Sequence, residues 1–242
     1  MPAKTPAKKN RTAGRANRMK LFYVALAAIA VIGVAAIVYS ARGASGASMA
    51  TEPVEMSAIT NASELTSRAK GVSLGAENAP VDLRVFSDFM CPGCGTWAGQ
   101  IEPLLKSEFV STGKVRLTYY DFPLPQHKYS FAAARAARCS GDQGKFWEYH
   151  DRLFASQRTW AYSASMPVDE FNRIAREIGL DMGGFSSCLR SDQHAEVVTA
   201  NRMLGEVLRV GGTPTVFLNG RQLEEWGDYN AVRAAVHAAG GS

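Results

Sequence analysis

The apolar residues change rhythm along this chain, and each rhythm predicts a different kind of element. Residues 21–40, LFYVALAAIAVIGVAAIVYS, are 20 consecutive positions without a charge. A helix of that length, at about 1.5 Å per residue, matches a hydrocarbon core of ~30 Å, and its evenness differs from the one-sided stripe of a globular helix. A transmembrane segment is therefore expected at 21–40. Residues 41–70 lose that rhythm and are rich in Ala, Ser, Gly, Thr and Glu. They read as a linker, with a short helical stretch near Ala62–Ala69. A folded domain is expected over 71–242, about 170 residues, enough to bury one core.

Within that domain Val81-Asp82-Leu83-Arg84-Val85-Phe86 predicts a strand covered on both faces. Trp97, Ile101, Leu104, Leu105 and Phe109 then recur at helical spacing, with Pro92 in the first turn and Pro103 expected to kink the helix. Val115–Tyr120 reads as a second strand, giving βαβ and hence a parallel pair. From about 127 to 208 the pattern is helical: Phe131–Cys139, a segment bearing Phe146, Trp147, Leu153 and Phe154 with Asp142 as its expected cap, and a helix after Pro167 that Gly179 ends. Thr215–Leu218 is a strand, Asn219-Gly220 marks a tight hairpin into Arg221–Leu223, and Tyr229–Ala239 forms a last helix. The expected class is α/β, with a helical insertion between a βαβ half and a ββα half.

Charge changes the picture at one end only. The formal net charge is +5, but Lys4, Lys8, Lys9, Arg11, Arg15, Arg18 and Lys20 fall in the first 20 residues, where no acid occurs. Residues 21–242 carry 20 Lys+Arg against 22 Asp+Glu, so the body is slightly acidic and a nucleic-acid partner is not expected. Cations before an apolar segment stay on the cytoplasmic side, so residues 1–20 form a cytoplasmic tail and everything after Ser40 is sent across the membrane. A retained anchor is favoured over a cleaved signal peptide because a signal core runs ~7–15 residues. Export is common to both readings.

Four cysteines, Cys91, Cys94, Cys139 and Cys188, lie beyond that segment. Cys91-Pro92-Gly93-Cys94 follows a strand and opens a helix, where unpaired amides and the helix dipole favour a thiolate on the first cysteine. Cys91 is the expected nucleophile, and Cys94, one turn on, the residue that resolves a mixed disulfide. A zinc site is disfavoured because His127, His150, His194 and His237 are scattered and no second CxxC is present, so neither metal nor cofactor is expected.

Gly71–Gly75, Ala79-Pro80, Phe86-Ser87-Asp88-Phe89-Met90-Cys91-Pro92-Gly93-Cys94, Asp121-Phe122-Pro123-Leu124 with His127, Ala136–Cys139, Gln143–Asp151 and Gly212-Thr213-Pro214-Thr215 together resemble the DsbA family of thioredoxin-fold thiol:disulfide oxidoreductases. The resemblance spans about residues 71–242. It implies a thioredoxin fold with a helical insertion, a cis Pro214 facing the cysteines, and a backbone contribution from Thr213 to substrate binding, with Pro92 and Gly93 alongside. One position departs from the pattern: many such enzymes hold a buried acid six residues before the first cysteine, and Val85 stands there. Asp88 is then the candidate proton relay, with an ordinary turn residue as the other reading, and His127 is expected to make a structural hydrogen bond.

Cys139 and Cys188 are expected to form a structural disulfide, two buried free thiols being the other reading. The family implies protein substrates with cysteines, here exported ones, and a membrane redox partner that recycles the CxxC pair. Oxidase action is favoured over reductase or isomerase action on the same site, and over a non-enzymatic peptide-binding module.

Overall fold

In the computed structural model, residues 50–56, 59 and 61–240 are described, and all belong to one unit, Ala47–Ser242. The basic tail, the segment 21–40 and residues 41–49, 57, 58 and 60 of the linker lie outside the described residues. Among the described residues no helix is long and apolar enough to cross a membrane.

The chain enters through α1 (Ala62–Arg68), started by the Asn61 side chain, which accepts a hydrogen bond from the Glu64 amide. β1 (Val72–Leu74) and β2 (Val81–Ser87) follow. Helix α2 (Pro92–Thr96) continues without a break through π-helical Trp97–Ile101, α3 (Glu102–Leu105) and π-helical Lys106–Val110. Pro103 has no amide to donate one turn back, and π-helical turns lie on both sides of the short α3 that contains it. β3 (Val115–Asp121) completes βαβ.

The insertion consists of α4 (Ser130–Gly141), α5 (Phe146–Ala155), α6 (Gln157–Trp160), α7 (Val168–Glu177), α8 (Met182–Arg190) and α9 (Ala195–Val207). Asp142 does not cap α5 as expected. It ends α4, and its carboxylate accepts from Gln193 at 2.9 Å and faces His194 at 2.9 Å, tying α4 to the start of α9. β4 (Thr215–Leu218), β5 (Arg221–Leu223) and α10 (Tyr229–Ala238) close the chain. Asn219 and Gly220 both take positive φ, 46° and 80°, the left-handed pair a two-residue hairpin requires.

The sheet order is β1-β3-β2-β4-β5. β2 and β3 run parallel from Val81 opposite Val115 to Ser87 opposite Asp121, while β1, β4 and β5 pair antiparallel with their neighbours. Strand alternation then fixes the layers. Val81, Leu83, Val85, Val115, Leu117, Val216 and Leu218 face one side, against Trp97, Ile101, Leu105 and Phe109 of the long helix and Val232 and Val236 of α10. Phe86 faces the other side with Phe122 and Val210. At the carboxyl ends of β2 and β3 the sheet meets the insertion in a second core, where Phe89, Cys94 and Tyr119 pack with Phe146, Tyr149 and Phe154.

Candidate active site

The site forms where β2 ends and α2 begins. Cys91 is the residue that caps α2, with extended backbone (φ −70°, ψ 123°), and Pro92 occupies the first helical position, where a missing amide costs nothing. The amides of Gly93 and Cys94 therefore remain free of helical partners and turn toward the Cys91 sulfur. Both cysteines are free thiols. Cys91 is 9% exposed and Cys94 fully buried.

Electrostatics separates the two. Cys91 is lowered to about 5, first by the hydrogen bond the Cys94 thiol offers its sulfur, then by Thr213 and by the Cys94 and Gly93 amides, which together outweigh the opposing effect of burial. As a thiol, Cys91 donates to the Thr213 carbonyl at 3.1 Å. Cys94 moves the other way: burial pushes it well above an ordinary thiol, and a negative Cys91 beside it pushes further. The Asp88 amide meets the Cys94 sulfur at 3.4 Å.

Thr213-Pro214 is a cis peptide and lies against the site. A Cβ built on Gly93 would stand 3.2 Å from Pro214 Cδ and 3.6 Å from Trp226, so the glycine fits a space that a side chain would crowd. A groove of about 340 Å³ leads away from this point, lined by Gly212, Thr213, Pro214, Gln222, Glu224 and Trp226 among others.

Asp88 is buried and bound on all sides. Its carboxylate accepts from the Met90 amide at 2.7 Å, the Leu124 amide at 2.8 Å and the Ser130 hydroxyl, and faces His127 Nδ1 at 2.8 Å. The Asp88 hydrogen bond is the main cause raising the His127 pKa, against a smaller opposing effect of burial. This carboxylate thus holds the turn before Cys91 to the start of the insertion. Cys139 and Cys188 lie within the insertion, on α4 and α8, joined by a 2.00 Å bond.

Three residues near the cysteines carry no sequence signal. Gln157, the first residue of α6, donates through Nε2 to the carbonyls of Phe89 at 2.8 Å and Cys91 at 2.9 Å. Ser87 and Tyr119 belong to strands whose alternation predicts burial without saying beside what. Gln157 is invisible in the sequence because its partners are backbone atoms of a loop 66 and 68 positions away.

A low-pKa thiol at a helix start, a buried second thiol and a neighbouring cis-proline on a βαβ–ββα frame define the thioredoxin-fold dithiol exchangers as a class. The thioredoxin family model matches residues 67–238. A probable disulfide bond formation protein D of Bacillus anthracis is 30% identical over 176 residues, 72% of this chain and 80% of that protein. A Na(+)/H(+) antiporter of Salinispora arenicola is 37% identical over 169 residues, 68% of this chain but only 24% of the antiporter's own length. The oxidised DsbA of Mycobacterium tuberculosis superposes with a TM-score of 0.60 at 25% identity, covering 72% of this chain and 94% of that one. The chain belongs to the thioredoxin family and, within it, to the DsbA-like thiol:disulfide oxidoreductases.

Proposed function

We propose that the chain is a membrane-anchored oxidase that passes the Cys91–Cys94 disulfide to cysteines of exported proteins. The observation that carries the reading is the charge balance of the dithiol: Cys91 sits near 5 while Cys94 is held protonated by burial. A pair whose reduced form is stabilised in this way gives up its disulfide readily.

In the proposed reaction a substrate thiolate attacks the Cys91 sulfur from the groove beside Thr213 and Pro214. Cys94 leaves, and a mixed disulfide joins substrate to Cys91. A second substrate thiolate then attacks its own disulfide-bonded sulfur and releases Cys91 as a thiolate. Pro92 and Gly93 keep that sulfur accessible, since neither adds bulk over it. The tight contacts of the Asp88 carboxylate support a positioning role for it, holding the Cys91 turn, over proton relay.

Residues 1–20 are proposed as a cytoplasmic tail, 21–40 as the anchor, 41–70 as the linker and 71–242 as the extracytoplasmic catalytic domain, its insertion spanning about 127–208. The apolar run behind seven cations supports this arrangement. Recycling of the reduced pair falls to a membrane redox partner. The test is the equilibrium potential of the pair against glutathione. A value from about −200 to −130 mV is expected, between thioredoxin and the most oxidising family members. A value at or below that of thioredoxin, about −270 mV, would reverse the flow and make the protein a reductase. Carbonate extraction of membranes tests the anchor, since a spanning segment stays in the pellet.

A further inference from the structure

Each attack on the Cys91 side of the disulfide expels Cys94 as a thiolate into a fully buried place, where burial strongly opposes the charge. At position 85 a carboxyl group would lie close by, but Val85 offers neither donor nor acceptor. Another polar group has to meet that charge.

Alternation along β2 and β3 places Val85 and Ser87 on the same face as Tyr119 and Asp121, and the register sets Val85 opposite Tyr119 and Ser87 opposite Asp121. Ser87 Oγ, Tyr119 Oη and Asp121 Oδ1 are all buried with no hydrogen-bond partner of ordinary geometry. The three residues are 2%, 1% and 1% exposed. The other Asp121 oxygen is already engaged, by Arg138 Nε at 2.7 Å and Asn201 at 3.1 Å. Buried hydroxyls are almost always paired, so two without a partner of ordinary geometry, on adjacent strands beside a reactive sulfur, are placed to take one up there. The Ser87 hydroxyl stands near enough to both neighbours to offset part of the rise that burial imposes on Cys94 and on Tyr119. Burial, and after it negative charge at Asp121, Cys94 and Asp88, keeps Tyr119 protonated, hence a donor.

We propose that Ser87 is a further catalytic residue, donating a hydrogen bond to the Cys94 sulfur as it leaves, and that Tyr119 is the positioning residue that orients Ser87. The inference rests on Cys91–Cys94 being the exchanging pair. A substrate thiolate forms a bond to Cys91 Sγ, the Cys91–Cys94 bond breaks, and its electron pair goes to Cys94 Sγ. Ser87 O–H turns to that sulfur alongside the Asp88 amide, while Tyr119 O–H donates to Ser87 Oγ. When the second substrate thiolate displaces Cys91, the substrate has lost two electrons and the pair has gained them. Of the two protons the substrate thiols release, one ends on Cys94 and the other in solvent, because Cys91 remains a thiolate above about pH 5.

The test is the rate at which the oxidised full chain reacts with glutathione, measured beside the Cys91 pKa from thiolate absorbance. Ser87→Ala should slow the reaction about tenfold, the worth of one hydrogen bond to an ionised group, with Cys91 still titrating near 5. Ser87→Thr restores the hydroxyl and most of the rate. Tyr119→Phe slows it less, and the double variant Ser87→Ala/Tyr119→Phe is no slower than Ser87→Ala alone. A wild-type rate in Ser87→Ala, a slowing that tracks a moved Cys91 pKa, or no rescue by threonine overturns the proposal. If glutathione is instead trapped away from Cys91 in the unsubstituted protein, the reading of the site itself fails.

Discussion

Cys139 and Cys188 bridge two helices, α4 and α8, across 49 positions of chain, whereas Cys91 and Cys94 lie within one turn of a single helix and are both thiols. All four are buried, at 1%, 7%, 9% and 0% exposure, so depth does not separate the pairs. Their electrostatic settings do. Cys91 caps a helix and collects amide donors, while Cys188 has the Asp142 carboxylate 3.6 Å from its sulfur, a neighbour that opposes a thiolate. Closing a long loop suits a bond meant to remain closed, and a three-residue step along a helix start suits one meant to open.

The sharpest way to break this contrast is to remove one sulfur at a time. Cys91→Ser should abolish thiol exchange, and Cys94→Ala should accumulate mixed disulfides on Cys91, both readable by mass spectrometry of trapped species. Trapping on Cys139 or Cys188 would invert the assignment of the two pairs.

The second effect is a pH slope that only the exchanging pair carries. The folded pKa of Cys91, about 5, lies below the unfolded thiol value of 9.0, so between them the unfolded chain binds one more proton and stability of the reduced protein rises with pH. The slope is about 1.4 kcal/mol per pH unit between the two values; the stabilisation it builds is fully present above 9.0 and lost as pH falls through 5. Urea unfolding of the reduced and oxidised forms across this range checks it. Parallel curves would mean that Cys91 is not a stabilised thiolate.

Next in size is the bridge. Double replacement, Cys139→Ser with Cys188→Ser, should lower stability by ~4 kcal/mol in the chain-entropy model while most exchange activity remains. Equal loss of both would show that the insertion and the exchange site are not separable. Smallest is Asp88→Asn, which leaves four contacts to a neutral amide and should cost about 2 kcal/mol in denaturant unfolding. An unchanged midpoint would dismiss Asp88 as the anchor of the Cys91 turn.

Patterns confined to one element were legible in the sequence. The two parallel strands, the long helix behind Trp97, the Asn219-Gly220 hairpin and the Cys91-Pro92-Gly93-Cys94 helix start each announce themselves through spacing or turn chemistry. β1 did not, because Val72-Ser73-Leu74 is too short to show a period and exists only through its pairing with β3. Asp142 misled for the opposite reason: a good capping residue stands three positions before Lys145-Phe146, but its carboxylate is drawn to His194 and Gln193 at the start of α9. The site follows the same division. Cys91 and Cys94 are local, whereas the donors around them converge from β2, β3, α6 and the β4 approach, a meeting that no stretch of sequence records.

Gln157 gives that convergence a practical edge. A single amide nitrogen on α6 holds the carbonyls of both Phe89 and Cys91, so the helical insertion grips the backbone of the reactive turn here through one side chain, besides the ties that His127 and Ser130 make to Asp88. The insertion is therefore modular only if both ties are kept. A protein engineer who grafts a different helical block between β3 and β4, to change what the groove admits, has to carry a two-handed donor at that one place, or the turn bearing Cys91 loses its splint from above.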